Sequence, residues 1–244
     1  MPVRRRKLAV LIGDSITQQG WGYDGARHGW ASRLSEHYVR KVDFLNRGYS
    51  GFNSKWVDEN LEDVLSIMEP RIDLAVVFLG ANDAVFPEFP SHVGRSSYMR
   101  HLTNIISKLQ QRWRTPHVLL VSPPPVAEGA LTLRNKASSN PRGLDRNNQR
   151  TKLYVDAARN VAKSLNGAVF VDAWAGMSGA GSEEERGQYL RDGLHLSDRG
   201  NARLFELLVS TIETEVPGWT ADAMPPDLPH WSELPREKNE LERE

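Results

Sequence analysis

Four short polar segments carry the residue types that acyl transfer requires. Gly13-Asp14-Ser15-Ile16-Thr17 offers a hydroxyl, and Asp192-Gly193-Leu194-His195-Leu196-Ser197 offers a base beside a carboxylate. Between them, Gly48-Tyr49-Ser50-Gly51-Phe52-Asn53-Ser54 and Gly80-Ala81-Asn82-Asp83 offer backbone and side-chain amides. A serine hydroxyl is a weak nucleophile until a base, usually histidine, takes its proton. The histidine needs a third group to fix its tautomer and stabilise the imidazolium. Asp192 and His195 stand three residues apart, close enough on a short turn for the carboxylate to meet the second imidazole nitrogen. The tetrahedral intermediate then needs donors aimed at its oxyanion. The backbone N–H groups of Ser15 and Gly51 and the side-chain amide of Asn82 can supply three; losing one such donor typically costs about 10²–10³ in turnover. Asp14 and Asp83 adjoin these groups and read as structural supports that orient loop backbone.

Each residue also has a plainer reading. A serine after a strand is often a helix N-cap, and Asn82 can cap the helix that follows it. His195 can be a surface or capping residue, and Asp192 a turn residue beside Gly193. Gly51 can be needed only for a positive φ, which is compatible with presenting its N–H. The four segments in one chain favour the chemical reading over the separate plain ones. Other motifs fail on context. Gly20-Trp21-Gly22-Tyr23-Asp24-Gly25 has the letters of a dinucleotide fingerprint but begins seven residues beyond the Gly13 turn, not directly after a strand. Gly48-Tyr49-Ser50-Gly51 is not a nucleophile elbow, because Phe52 stands where the last glycine belongs. His28, His37, His92, His101, His117 and His230 form no metal-ligand spacing, although His28 can also line the mouth of a pocket. Trp21, Tyr23 and Phe86 fit either a pocket wall or the core.

These groups need a scaffold that brings loops together, and the pattern of the chain supplies one. Short apolar runs alternate with longer amphipathic stretches, as in a parallel sheet flanked by helices. Strands are expected at Lys7–Ile12, Asp43–Asn46, Ile72–Leu79, His117–Val121 and Ala168–Val171. Helices are expected at Trp30–Arg40, Ser54–Met68 (ended by Pro70), Ser97–Trp113, Lys152–Leu165 and Arg199–Val216. In such a sheet, ligands bind at the carboxyl ends of the strands, so the first three polar loops should converge on one crevice. Ala127 to Arg150 is polar and without clear period, and is expected to be an insertion or lid over the sheet. The residues from 1 to 216 form the expected domain. From Pro217 to Glu244 the chain is proline-rich, then charged, and is expected to be an extended, partly mobile extension.

Composition narrows the function classes. The 244 residues include 31 Lys plus Arg and 31 Asp plus Glu. That balance argues against nucleic acid or an anionic membrane as the main partner, since both require a strong positive field. Without cysteine, disulfides, thiolate metal sites and cysteine nucleophiles are excluded. Arg4-Arg5-Arg6-Lys7 ahead of Leu8–Ile12 faintly imitates a signal peptide, but five apolar residues are too few for one, or for a bilayer span. No Asn-x-Ser/Thr acceptor is present. A cytoplasmic protein without integral membrane association is expected. Oligomeric state is not legible.

Together the four segments resemble the SGNH (GDSL-type) hydrolases. Gly13-Asp14-Ser15, the Gly51 turn, Gly80-x-Asn82-Asp83 and Asp192-x-x-His195 stand in that family's chain order, and the match spans residues 7 to 216. A tripeptide alone is weak evidence; four motifs in order, three of them at strand ends, are specific. The resemblance implies Ser15 as nucleophile, the oxyanion donors assigned above, and no metal or cofactor. It also implies an α/β fold, a three-layer α/β/α sandwich with a mainly five-stranded, flavodoxin-like parallel sheet. Longer stretches, Arg47–Trp56, Phe78–Ala84 and Asp192–His195, are similar to a narrower branch, the isoamyl acetate-hydrolysing esterases of fungi and their plant and animal relatives. That branch implies a small-molecule ester as substrate, with a short acyl group, acetyl among the candidates. The residues after Thr17 and those at 127–150 carry no comparable match and are the expected shapers of the pocket. The ester therefore stays open: carbohydrate O-acetyl esterases, thioesterases and lysophospholipases share the fold. A non-catalytic ester-binding protein is the rival from a different class.

Overall fold

Strand β1 (Lys7–Gly13) shows why its sequence does not alternate polar and apolar residues. Ala9 and Leu11 enter one hydrophobic core, with Trp30, Leu34, Leu204 and Leu208. Val10 and Ile12 enter a second, with Val57, Leu61, Tyr98 and Leu102. A strand covered on both faces must be apolar throughout. The structure, a computed structural model, describes residues 5–23, 28–66 and 71–233. Beside β1 lie β2 (Val42–Gly48), β3 (Leu74–Phe78), β4 (Val118–Val121) and β5 (Ala168–Val171), all parallel, in the order β2-β1-β3-β4-β5. This is the flavodoxin-like order, whose switch point falls between β1 and β3.

The helices are α1 (Ser15–Gln18), α2 (Trp30–His37), α3 (Ser54–Glu59), α4 (Leu61–Val64), α5 (Arg95–Arg112), α6 (Glu128–Lys136), α7 (Asn148–Ser164), α8 (Ala173–Gly176), α9 (Glu183–Gly187) and α10 (Asp198–Glu215). Buried residues of α2 and α10 belong to the first core, and those of α3, α5 and α7 to the second. The result is the expected three-layer α/β/α sandwich with a five-stranded parallel sheet. Among the described residues, no helix is long and apolar enough to cross a membrane.

Three expectations change on contact with the structure. The single helix read over Ser54–Met68 is broken at Asn60 (φ −113°, ψ 16°), whose side chain donates to the Trp56 carbonyl at 2.8 Å. An asparagine amide that competes for the helical carbonyl is a physical reason to stop there. Met68 and Pro70 lie outside the described residues. The stretch 127–150, which shows no clear period, contains α6 and the start of α7. Only Leu131 and Asn135 of α6 are buried, so it leaves no apolar period to read. Finally, residues 217–233 are not a free extension. Trp219, Ala221 and Met224 are buried in the first core, and the Tyr38 hydroxyl donates to the Trp219 carbonyl at 2.9 Å. The prolines obscured a segment anchored by one large aromatic. The charged residues 236–244 lie outside the described residues.

One close approach sets the height of the Ser15 loop over the sheet. A Cβ placed on Gly48, at the end of β2, would lie 2.0 Å from the Gln18 backbone nitrogen. Gly48→Ala should therefore push α1 away, destabilising the protein by about 1–3 kcal/mol, as overpacking does, and lowering turnover. Gly143→Ala, whose Cβ meets nothing within 4 Å, should change stability by about 0.5 kcal/mol or less. Urea denaturation of both variants checks the pair; equal stabilities would refute the steric account.

Candidate active site

Asp14 ends β1 by capping α1: its carboxylate accepts the Ile16 N–H at 2.9 Å. That cap turns the chain sharply and places Ser15 at the first position of the helix, where its own N–H needs no intrahelical acceptor. Ser15 Oγ lies 2.9 Å from His195 Nε2, and His195 Nδ1 lies 2.8 Å from Asp192 Oδ2. The three residues expected to work together do meet, across 180 positions of chain. Because a carboxylate can only accept, Nδ1 carries the proton, leaving Nε2 of the neutral ring free to accept from Ser15.

The turn that carries His195 is held from within. Asp192 Oδ1 accepts the backbone N–H groups of Leu194 at 3.1 Å and His195 at 2.8 Å. Arg191 N–H donates to the His195 carbonyl at 2.9 Å, and Ala127 N–H to the Gly193 carbonyl at 3.1 Å. Arg134, from α6, brings its guanidinium 3.3 Å from Asp192 Oδ2. Burial disfavours charge on Asp192, but hydrogen bonds from the His195 ring and backbone, with the Arg134 charge, hold its carboxyl well below the usual range. It stays ionised at any pH where an imidazole titrates.

The remaining loops are laced to α1 and to one another. Tyr49 N–H donates to the Gly13 carbonyl at 2.9 Å, and Ser50 N–H to Gln18 Oε1 at 2.7 Å. Gly51 adopts φ +83°, the left-handed region open to glycine at little cost. Among the described residues, neither the Ser15 nor the Gly51 N–H donates to a protein acceptor. Asn82 Nδ2 donates to the Phe52 carbonyl at 2.9 Å, tying the third loop to the second and leaving one amide hydrogen uncommitted. Asp83 is fully buried and accepts the Ser54 N–H at 3.0 Å as well as the Ser54 hydroxyl. Asn53 caps α3 and reaches the Ser91 carbonyl at 2.9 Å.

Sequence reasoning missed Arg146, Asp145, Arg134 and Arg191. The Arg191 guanidinium stands 3.8 Å from the Tyr23 ring centre, and its Nη2 is 2.6 Å from Gln19 Oε1, so the half-buried Tyr23 stacks on an arginine and is not part of the core. Trp21 is 40% exposed, which removes it from the core as well. Phe86 is half-buried and donates its N–H to the Asp145 carbonyl at 2.7 Å. No local signal marks these arginines: Arg134 and Arg146 lie in the stretch 127–150, which carries no motif, and Arg191 precedes the Asp192–His195 motif without being part of it. Of the rejected dinucleotide motif, Asp24 and Gly25 lie outside the described residues. Among the described residues, no group of three or more His, Asp or Glu could hold a metal ion.

A serine at the carboxyl end of β1 thus meets an imidazole and a carboxylate from the turn before α10, in a three-layer α/β/α fold. A profile of the GDSL-like lipase/acylhydrolase family matches residues 11–203. A GDSL esterase/lipase of Arabidopsis thaliana is 36% identical over 233 residues, which cover 92% of each chain. The human isoamyl acetate-hydrolyzing esterase 1 homolog is 32% identical over 238 residues, covering 95% of this chain and 90% of its own. Among solved structures, a lipase/acylhydrolase from Enterococcus faecalis aligns with TM-score 0.64 at 22% identity, over 91% of this chain and 100% of that one. The chain belongs to the GDSL-like lipase/acylhydrolase family, and it is a carboxylic ester hydrolase.

The buried Asp14 yields a pH test. Burial, opposed by the Ile16 N–H, raises its carboxyl to about 7, above the roughly 3.9 of an unfolded aspartate. Folding therefore binds a proton between these values: the stability Asp14 contributes is complete at low pH and is lost as pH rises through 7. Asp14→Asn, which keeps a capping oxygen, should gain about 2–3 kcal/mol relative to wild type between about pH 5 and 8. Parallel stability curves for the two proteins, by denaturant titration at each pH, would overturn this assignment.

Proposed function

We propose that this chain hydrolyses small carboxylic esters with short acyl groups, acetyl foremost, through an acyl-enzyme. The observation that carries the mechanism is the unbroken Ser15–His195–Asp192 hydrogen-bond chain. Ser15 Oγ attacks the ester carbonyl carbon while His195 Nε2 takes the hydroxyl proton. Asp192 holds the ring in the tautomer that can accept and stabilises the imidazolium that forms. The carbonyl oxygen, now an oxyanion, is received by the Ser15 and Gly51 N–H groups and the uncommitted hydrogen of Asn82. His195 returns the proton to the departing alkoxide, and the alcohol leaves. Water then attacks the acyl-serine, again losing its proton to His195. Collapse of the second intermediate breaks the acyl–Oγ bond, the proton goes back to Ser15, and the carboxylic acid departs.

The preference for short acyl groups is supported by relatives that are 32% identical and named for isoamyl acetate. The geometry calls for a hydroxyl, an imidazole and three donors, and no step in the scheme uses a metal or cofactor. Asp14 and Asp83 support the loops: one caps α1, and the other joins the third loop to α3.

Hydrolysis of p-nitrophenyl acetate, butyrate, octanoate and palmitate tests the proposal. Activity should fall with chain length and survive chelator. Ser15→Ala should lose at least about 10³-fold in kcat with an unchanged circular dichroism spectrum, and should no longer be labelled by a fluorophosphonate. Asp192→Asn, in which the ring is no longer held in the accepting tautomer, should lose about 10³–10⁴-fold. Substantial turnover or labelling in pure Ser15→Ala protein would sink the nucleophile assignment.

A further inference from the structure

Arg146 is a buried cation with no place in the scheme above. It is 4% exposed and lies in the loop that leads into α7. A charge so deep survives only when paired and hydrogen-bonded. Asp145 supplies the pairing, with Nε to Oδ1 at 3.0 Å and Nη2 to Oδ2 at 3.3 Å. Nη1 turns the other way, to the Ala81 carbonyl at 2.5 Å and to Asn82 Oδ1 at 3.4 Å. The same loop grips the chain again where the Asp145 carbonyl accepts the Phe86 N–H at 2.7 Å.

An asparagine amide has two ends of nearly equal shape, so its orientation is set by its partners. Here the partners leave one choice. The Phe52 carbonyl can only accept, and it takes a hydrogen from Nδ2. The guanidinium can only donate, and it faces Oδ1. A flip would set carbonyl against carbonyl and NH₂ against a cation. At 3.4 Å the contact is long for a hydrogen bond, so Arg146 acts on the amide mainly as a fixed charge, itself anchored on Ala81.

We propose that Arg146 is a positioning residue for the oxyanion site: it fixes the orientation of the Asn82 amide and polarises it, so that the uncommitted N–H is presented to the oxyanion. The proposal rests on the reading of Asn82 as an oxyanion donor. It also assigns a role to the stretch 127–150, which delivers the cation from a segment far from the motifs.

A double-mutant cycle on p-nitrophenyl acetate hydrolysis tests it. The variants are Asn82→Ala, the pair Asp145→Asn with Arg146→Met, and all three together; removing both members of the ion pair avoids stranding a buried charge. Asn82→Ala should lose about 10²–10³ in kcat. The Asp145/Arg146 pair should lose kcat by roughly 10-fold or more with KM little changed, since a donor that acts on the oxyanion is felt in the transition state. On the Asn82→Ala background the pair should cost almost nothing further, because the amide it orients is gone. Arg146→Lys, which keeps the charge but not the fork, should restore part of the loss; it carries the comparison if the paired variant fails to fold. Full additivity, or wild-type kcat in the folded variant, overturns the positioning role and leaves the oxyanion reading intact. Wild-type kcat in Asn82→Ala overturns both.

Discussion

A hydroxyl at position 15 has to come within a hydrogen bond of an imidazole at position 195, on segments with no covalent reason to be neighbours. The approach of 2.9 Å between Ser15 Oγ and His195 Nε2 meets that requirement. Much of the architecture serves it. Parallel strands point the same way, so the loops after β1, β2 and β3 emerge on one side of the sheet. Glycine at the end of β2 lets α1 sit directly against the backbone there. The Asp192 carboxylate then closes its own turn, so the His195 ring arrives already oriented.

Around that contact, the protein sorts four buried or partly buried aspartates into two groups by their surroundings. Asp14 and Asp83 lose hydration faster than they gain partners, and burial raises their carboxyls to about 7 and about 6. Asp192 and Asp145 also lose hydration. However, His195 with Arg134, and Arg146 with Arg142, more than offset that cost and hold both carboxyls below the usual range. The same side chain is thus near neutrality in one setting and firmly ionised in the other, depending on whether a cation shares its pocket. Asp192 bonds the His195 ring, and Asp145 holds the guanidinium that faces Asn82.

The segment between β4 and α7 changes most in meaning when seen in three dimensions. As a string it is polar and without clear period. In the fold, its residue 127 bonds to the turn that carries His195, and its residue 134 faces Asp192. Its residue 146 reaches the loop that carries Asn82. Two loops of the site are braced by a stretch that bears none of the family's motifs. Variation there would act on the site without touching the residues by which the family is recognised.

What the sequence by itself determined is whatever local chemistry encodes. Uninterrupted apolar runs require strands buried on both faces, and the sandwich with its five parallel strands follows from their alternation with helices. Ser15, Gly51, Asn82, Asp192 and His195 stood out as candidates because each sits in a short motif, and the fold joins Ser15, His195 and Asp192 in one hydrogen-bonded chain. Tertiary structure alone decided what depends on distance through space. The break at Asn60 turned on a side chain finding a carbonyl one turn back, and the burial of Trp219 on its packing against Tyr38 in the first core. Arg134 and Arg146 became part of the site only when residues far apart in sequence were packed together. A guanidinium carries no pattern that names its partner; its meaning is set by whichever carboxylate or carbonyl the fold brings within about 3 Å.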